Sequence, residues 1–299
     1  MSRSRVVVAT RKSALALAQS RAFIARLAAL HPHVTFEELL VTTTGDVVQD
    51  RALAEIGGKG LFVKEIEEAL LDQRADIAIH SLKDVPPQLL PSLTIGCVPD
   101  REDPRDVLIS RGALKLAELP RGSRVGTGSL RRRVQLLAHR DDLEVVPIRG
   151  NVDTRLRKCE SGEVDAVLLA RAGLNRLGLS SRATENIEPE VMLPAVGQGA
   201  LGIEQRMGDQ FVSELLAPLS HSDTKILVSA ERGVMHAING NCTTPVAAFG
   251  LRRGSSLHLR AFLAEPDGSR PRRAEITLPF PATAELAEEI GRSLGAELG

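Results

Sequence analysis

Short apolar runs alternate with helical patterns over the first two-thirds of the chain. The apolar runs, several of them β-branched, predict a buried strand at residues 6–9 and further strands at residues 34–41, 77–80, 123–126, 144–148 and 165–170. Apolar positions at helical spacing predict helices at residues 13–30 and 64–71, from about residue 130, and after residue 151. Strands that alternate with helices in this way indicate α/β layers with mainly parallel sheets.

The last part of the chain has a different order of elements. A helical pattern over residues 223–238 precedes three strand-like runs, VAAFGL, LHLRAFL and AEITLPF, and a closing helical stretch. This order predicts a small α+β domain with an antiparallel sheet. Two segments rich in proline, glycine or charge, residues 99–106 and 193–202, are expected to connect two α/β domains with a ligand cleft between them.

Composition argues against several classes of protein. The formal net charge is zero and the chain has no Trp or Tyr, so neither a basic surface nor an aromatic platform for nucleic acid is expected. No apolar run approaches the roughly 20 residues of a membrane-spanning helix, and the apolar run near the start is too short for a secretory signal. We therefore expect a cytoplasmic protein that binds neither nucleic acid nor a membrane.

Basic residues recur where a predicted strand leads into a helix. Arg11 and Ser13 follow the first strand, GTGSLRRR occupies residues 126–133, and IRGNVDTRLRK occupies residues 148–158. Helix N-termini attract anions, and the carboxyl ends of parallel strands meet at one edge of a sheet. A capping serine and solvated cations explain the first junction better than a ligand does. Three such junctions together predict a cleft for a ligand with several carboxylates or phosphates.

Lys83 and Asp84 form a further charged pair, after the strand at residues 77–80 and before two prolines. A carboxylate among cations stays ionised, and it can stabilise a developing cation or move a proton. A structural ion pair explains these two residues equally well. The GGKG segment lacks the spacing of a phosphate-binding loop, so we interpret it as a loop that closes over the cleft and carries Lys59.

The three cysteines are widely separated and form no CxxC pair, so neither a disulfide framework nor a metal site is expected. Cys97 lies in an apolar run typical of a packed thiol, and Cys159 can be structural or reactive. Cys242 lies in the turn-rich segment NGNCTTP. It is a candidate nucleophile, although no histidine–carboxylate pair that would activate it is evident.

Together these segments resemble the porphobilinogen deaminase (hydroxymethylbilane synthase) family. The similarity spans nearly the whole chain, in family order, through ATRKSALALAQ, GGKGLFVKEIE, DIAIHSLKDVP, GTGSLRRR, RGNVDTRL, LLARAGLNRLGL, LPAVGQGALGIE and the cysteine segment. HSLKDVP, RGNVDTRL and AVGQGA form the most specific combination.

The resemblance implies an α/β fold of two type-II periplasmic-binding-protein-like domains, the first discontinuous, plus a small α+β C-terminal domain. The domains are then expected at residues 1–99 with 200–217, at residues 105–193, and at residues 222–299. It also implies a monomeric enzyme of tetrapyrrole and haem biosynthesis. This enzyme condenses four porphobilinogen molecules into hydroxymethylbilane on a covalent dipyrromethane primer, and water then releases the product.

The same resemblance assigns roles to individual residues. Cys242 is expected to hold dipyrromethane through a thioether, and Asp84 to be the catalytic carboxylate that helps protonate the leaving amine and stabilises the cationic ring. The cofactor-binding residues are then Cys242, Lys83, Asp84, Thr127, Ser129, Arg131 and Arg132. The substrate-binding residues are Arg11, Ser13, Gln19, Lys59, Arg149, Arg155 and Arg176.

Three other interpretations stay open on the residues alone. A non-enzymatic binding protein for a polycarboxylate ligand would use the same cleft, but it would need neither Asp84 nor Cys242. The neutral net charge weighs against a nucleic-acid-binding protein. The lack of a visible base weighs against a cysteine hydrolase.

Overall fold

The structure is a computed structural model that describes residues 4–47, 62–240 and 244–299. The strands are β1 (Arg5–Arg11), β2 (Thr35–Val41), β3 (Ile77–Ser81), β4 (Leu93–Cys97), β5 (Asp106–Ser110), β6 (Arg124–Gly126), β7 (Glu144–Val146), β8 (Ala166–Ala170), β9 (Glu185–Ile187), β10 (Leu201–Arg206), β11 (Val246–Arg253), β12 (Ser256–Leu263) and β13 (Arg272–Pro279). The α-helices are α1 (Ala14–Leu30), α2 (Thr44–Val47), α3 (Lys64–Leu71), α4 (Leu130–His139), α5 (Val152–Glu160), α6 (Arg171–Arg176), α7 (Gln210–Leu216), α8 (Ser222–Ala237) and α9 (Ala284–Ala296). Within the described ranges, no helix is long and apolar enough to cross a membrane.

The first sheet has the strand order β2-β1-β3-β10-β4. Side chains on successive strand residues point to opposite faces, so both faces of its central strands are covered. On one face Val8 and Ile77 pack in a core with Phe23 of α1. On the other face Ala78 packs in a core with Ile66 of α3. The two helices therefore hold the ends of β1 and β3 in fixed positions.

The second sheet has the order β7-β6-β8-β5-β9, and it is built like the first. In each sheet two pairings are parallel and two are antiparallel, because β10 and β5 run against their neighbours. The prediction of mainly parallel sheets is therefore wrong in part. Both reversed strands are the first strand after a crossover between the sheets. After each crossover, the chain therefore runs through the sheet in the direction opposite to that of the neighbouring strands.

Two crossover segments join the α/β units, as the sequence predicts, and they also bond to each other. The Glu102 amide donates to the Gly199 carbonyl at 3.2 Å, and the Gln198 side-chain amide donates to the Pro104 carbonyl at 2.7 Å. Gly199 has a φ of +87°, and a Cβ there would lie 2.3 Å from the Glu102 carbonyl oxygen. Only glycine fits this crossing.

The C-terminal part is the predicted α+β unit, with an antiparallel sheet in the order β11-β12-β13. Helices α8 and α9 pack with this sheet around a shared apolar core. The helices approach closely because glycines face each other: a Cβ on Gly291 would lie 1.9 Å from the Ala230 carbonyl oxygen. The expected fold, two α/β units with the first discontinuous plus a small α+β unit, is confirmed. The domain boundaries stay predictions.

We expect Gly291→Ala to lower the free energy of unfolding by about 3 kcal/mol, because the added methyl group forces α8 and α9 apart. At a helix position with open space the same change stabilises a protein by about 0.5–1 kcal/mol. Ser293→Ala, at an exposed position of α9, is the matched control and should change little. Urea unfolding of the three proteins measures the difference. Equal stability of Gly291→Ala and the control would contradict the tight crossing.

Candidate active site

A cleft of about 500 Å³ lies between the two α/β units and is lined by both. The first unit contributes Arg11 and the Lys83–Asp84 pair, and the second contributes Arg132, Arg149 and Arg155 among others. Arg11 ends β1, and Lys83 follows β3 by two residues. Carboxyl ends of strands therefore meet at the cleft, as expected for ligand sites of open α/β sheets.

Asp84 lies where three cavities meet. It lines the 500 Å³ cleft, a second cavity of about 200 Å³ and a third of about 60 Å³. A single turn of 3₁₀ helix, Leu82–Asp84, carries it. Leu82 and Val85 on either side are buried, and the Leu82 amide donates to the Ala200 carbonyl at 3.0 Å. These buried neighbours and this hydrogen bond fix the backbone of the turn, while the Asp84 side chain stays exposed in the cleft.

The Lys83 side chain is exposed to solvent on the side that faces the cleft, and protein atoms surround its other sides. Its ammonium group lies 3.5 Å from the Gln198 side-chain oxygen. Burial lowers the pKa of Lys83 to about 8, a shift that the nearby Asp84 charge opposes and the Arg132 charge reinforces. The ammonium group is therefore a cation that an additional carboxylate in the cleft would stabilise.

Asp106, which no sequence motif indicates as a site residue, is a fully buried carboxylate at the start of β5 in the second unit. Its carboxylate accepts hydrogen bonds from Arg131 and Arg132, each at 2.7 Å, and from Gln198 at 2.9 Å. Burial opposes its ionisation, but the two arginine charges outweigh burial and hold the pKa of Asp106 well below its usual range. The arginine run predicts an anion at the start of α4. In the structure this anion is the Asp106 carboxylate, a group of the protein itself. Arg132 also lines the cleft, whereas Arg131 lines only the 200 Å³ cavity.

Cations crowd together in the wall that the second unit contributes. The Arg155 guanidinium donates to the Gly150 carbonyl at 2.8 Å. Burial lowers the pKa of Arg155 to about 10, with smaller contributions from the charges of Arg132 and Arg149. A bound anion would relieve both effects, since it favours the charged form of each guanidinium.

Two hydroxyl residues shape the start of α4. The Ser129 side chain caps the helix by accepting from the Arg132 amide at 3.4 Å, and it lines the 200 Å³ cavity. Thr127 is buried, and its hydroxyl accepts from the Ser129 amide at 3.2 Å. Thr127 therefore supports the turn beneath the cavities, while Ser129 reaches one of them.

The first unit places three more of the predicted residues near Asp84. Arg11 pairs with Asp46 at 3.1 Å and stacks over the Phe62 ring at 4.3 Å. Ser13 caps α1, and Gln19 donates to the Ser81 hydroxyl at 3.0 Å. Arg11, Ser13 and Gln19 all line the 60 Å³ cavity that Asp84 also lines.

Three predicted residues have a different outcome. Arg176 donates to the Gly199 carbonyl at 2.6 Å, so its guanidinium is engaged at the crossover, and it does not line the three cavities. Lys59 and Cys242 lie outside the described residues. Thr244, two residues after Cys242, lines the 200 Å³ cavity together with Lys83 and Asp84.

The other two thiols are core residues. Cys97 and Cys159 are both buried, and burial raises the pKa of Cys97 to about 12 and also raises that of Cys159. Neither is suited to nucleophilic chemistry, which needs the thiolate. In the part of the chain that the structure describes, no group of three His, Cys, Asp or Glu side chains is placed to hold a metal ion.

Sequence comparisons match the whole length of the chain to one family. The profile described as "Porphobilinogen deaminase, dipyromethane cofactor binding domain" matches residues 6–214, and "Porphobilinogen deaminase, C-terminal domain" matches residues 225–299. The porphobilinogen deaminase of Sorangium cellulosum is 60% identical over 98% of both chains. That of Chromobacterium violaceum is 48% identical over 98% of this chain and 94% of the relative. The chain belongs to the porphobilinogen deaminase family.

A solved structure with a related plan is a probable amino-acid transporter extracellular-binding protein of Bacillus subtilis. It is 12% identical, with a TM-score of 0.43, over 73% of this chain and 90% of the other. This distant likeness adds no argument about function.

The cleft fits the dipyrromethane cofactor of the porphobilinogen deaminase family. Each of the two pyrrole rings carries an acetate and a propionate, so the cofactor brings four carboxylates. Among the described residues, six cations and three carboxylates line the main cleft: Arg11, Lys12, Lys83, Arg132, Arg149 and Arg155, with Asp46, Asp84 and Asp153. The excess of cations suits a polycarboxylate, because guanidinium groups bind planar carboxylates well.

We expect Asp106→Asn to lower the free energy of unfolding by about 3–5 kcal/mol, since it leaves two buried arginines without their carboxylate. Chemical denaturation at pH 7 measures this loss. Glu37→Gln, which breaks the exposed pair with Arg5, is the control and should leave the unfolding midpoint unchanged. A loss for Asp106→Asn no larger than for the control would show that the buried pair does not hold this unit together.

Proposed function

We propose that this protein deaminates and condenses four porphobilinogen molecules into hydroxymethylbilane, with dipyrromethane attached to Cys242 as the primer. The observation that carries the proposal is the position of Asp84. It is the carboxylate at the junction of three cavities, within a cleft whose walls carry an excess of cations. A polycarboxylate bound by those cations would place its reacting atoms against Asp84.

The attachment to Cys242 rests on the neighbouring described residues and on elimination. Cys97 and Cys159 are buried in the core, which leaves Cys242. After α8 the chain turns back, with the Gly240 amide donating to the Met235 carbonyl at 3.0 Å. Met235 and Thr244, on either side of the cysteine segment, both line the 200 Å³ cavity. Because described residues before and after the cysteine segment line this cavity beside Lys83 and Ser129, we propose that the cofactor attached to Cys242 occupies it.

The bound cofactor supplies the free pyrrole α-carbon to which the substrate is joined, while the protein supplies charge and proton transfer. Arg132, Arg149 and Arg155 neutralise the carboxylates of the ligand in the cleft. Asp84 helps to protonate the leaving amine, stabilises the cation that develops on the substrate ring, and accepts the proton released afterwards. Arg11, Ser13 and Gln19 line the cavity next to Asp84 and are proposed to orient the arriving substrate.

The remaining assignments belong to the same proposal. Thr127 and Arg131 are proposed to help bind the cofactor by holding the start of α4 in position. Arg176 is proposed to bind the substrate after a movement of the two units relative to each other. Lys59 is proposed to close the cleft. We also propose that the protein is a cytoplasmic monomer that does not bind a membrane. Its zero net charge and the absence of Trp and Tyr support the further proposal that it does not bind nucleic acid.

Intact-mass spectrometry tests the attachment. Wild-type protein produced where porphobilinogen is available should carry the added mass of two pyrrole units, and Cys242→Ala should have its bare sequence mass. Cys159→Ala is the matched control and should keep the adduct, because Cys159 is buried. An unmodified wild-type protein, or an adduct that persists in Cys242→Ala, would overturn the proposed attachment.

Asp84→Asn should keep the adduct but lower kcat by about 10²–10⁴-fold, the usual contribution of a positioned general acid or base. Asp153→Asn removes another carboxylate that lines the cleft, and we expect less than a tenfold change from it. Steady-state turnover of porphobilinogen, after the adduct mass has been verified, measures both. Full turnover by Asp84→Asn would remove Asp84 from the mechanism and would favour a purely structural ion pair.

A further inference from the structure

A buried cluster of two carboxylates and one imidazole lies behind the Asp84 turn. His80 of β3 contacts Glu204 of β10 through a 3.0 Å hydrogen bond between Nε2 and Oε2. The two side chains are 3% and 0% exposed. Glu67 is 8% exposed and lies on α3, the helix that packs against both β3 and β10, where His80 and Glu204 lie. None of the three is needed for the mechanism proposed above.

The groups around the cluster do not fully compensate the negative charge of its two carboxylates. Within the described chain, Oε1 of Glu204 is buried and has no hydrogen-bond partner. The further charged group that acts on Glu204 is Arg232 of α8. Its guanidinium donates to the Pro86 and Pro87 carbonyls at 2.8 and 3.1 Å. Only Glu204 is hydrogen-bonded to the single imidazole, so a second buried carboxylate near this pair favours uptake of a proton.

Glu67 is the group that takes up this proton near neutrality. Burial, followed by the charge of Glu204, raises the pKa of Glu67 to about 7, and the charge of His80 opposes the shift. A carboxyl with a raised pKa stabilises the fold fully below its unfolded value of 4.5, and this contribution is lost as the pH rises to 7. A glutamine would avoid that loss, so packing alone does not account for a carboxylate at this position.

The cluster is linked directly to the catalytic turn. His80 precedes Asp84 by four residues and lines the same 60 Å³ cavity, along with Ser81 and Gln19. Polar side chains form part of the lining of that cavity, and it is large enough for ordered water. On the other side, Arg232 holds the carbonyl groups that follow Asp84. A change of charge in the cluster therefore acts on the strand end and on the cavity that Asp84 faces.

We propose that Glu67, His80 and Glu204 form a proton-holding cluster that sets the pH dependence of the chemistry at Asp84. The inference rests on the function proposed above. When the pH falls through neutrality, the Glu67 carboxylate binds one proton and becomes a neutral carboxyl group. When the pH rises, the cluster gains one negative charge behind Asp84, and that charge stabilises the cation developing on the substrate ring. Glu67 does not line the cleft and acts only through its charge, so it is not a catalytic residue.

The test compares Glu67→Gln with wild type and with Glu68→Gln, a control at the next position of α3, where the side chain is exposed. All three are assayed as cofactor-loaded enzymes whose adduct mass has been verified. The glutamine mimics the protonated state, so kcat of Glu67→Gln should match wild type at pH 6. At pH 8 the kcat of Glu67→Gln should be about tenfold lower than that of wild type, which corresponds to about 1.4 kcal/mol of lost electrostatic stabilisation. KM should change little, because Glu67 does not line the cleft. Glu68→Gln should follow wild type throughout.

Two further measurements do not depend on turnover. In ¹³C-glutamate-labelled wild-type protein, NMR should show one carboxyl that titrates near pH 7, and this signal should be missing from Glu67→Gln alone. Above pH 7, Glu67→Gln should also melt at a higher temperature than wild type, with the difference disappearing as the pH falls towards 4.5.

Either of two results would overturn the cluster. One is a constant ratio of kcat between Glu67→Gln and wild type from pH 6 to 8, which would leave Glu67 a structural role only. The other is the absence of any glutamate carboxyl that titrates between pH 6 and 8 in wild type, a result that stands even if the variant fails to fold. A wild-type protein without adduct or turnover would instead overturn the proposed function, and the NMR titration would still decide on the cluster.

Discussion

The burial of one carboxylate, Asp106, is the constraint on which the active site depends. Asp106 begins the strand that follows the first crossover, and it is fully buried against Arg131 and Arg132. Gln198, from the second crossover, donates to the same carboxylate and also lies next to Lys83 of the other unit. One buried charge thus connects the start of a helix, both crossovers and the turn that carries Asp84. A buried ion pair of this kind specifies an arrangement more than it adds stability, because the cost of desolvation offsets much of the attraction.

Helix α8 gives the C-terminal unit a similar linking role. Val228 packs with Leu82 and Val85, which flank Asp84, and Arg232 binds the backbone that follows the turn. The end of the same helix leads into the segment that contains Cys242. A single rigid element therefore supports the turn that carries Asp84 and determines where the cysteine segment begins. Because glycines bring α8 and α9 into close contact, this support has little freedom to shift.

Local patterns in the sequence were sufficient to predict most of the fold. The alternation of apolar runs and helical faces located the main strands and helices, and the cap at Ser13 and the helix start at Ser129 match the structure. Strands β5 and β10 were not predicted at all, because each begins at or next to a segment that was interpreted as a connection between domains. Their direction could not have been predicted either, because a strand has the same apolar pattern in parallel and antiparallel pairings. Asp106 was missed for a related reason. Its role arises from side chains 25 and 92 positions away, and spacing along the chain does not reveal such partners. Glu67, His80 and Glu204 lie on three separate elements and were hidden in the same way.

The cleft concentrates positive charge in a protein whose formal net charge is zero. At physiological ionic strength, electrostatic attraction between exposed charges fades over roughly 8 Å, and a neutral molecule exerts little pull beyond that distance. A small polyanion therefore meets strong attraction only after it has passed between the two units. Because the formal net charge is zero, the excess of cations in the cleft is matched by an excess of carboxylates elsewhere in the chain, and a long polyanion that cannot enter the cleft would meet those carboxylates. The enclosure of charge, rather than its total amount, thus acts as a size filter on the anions that this protein can retain.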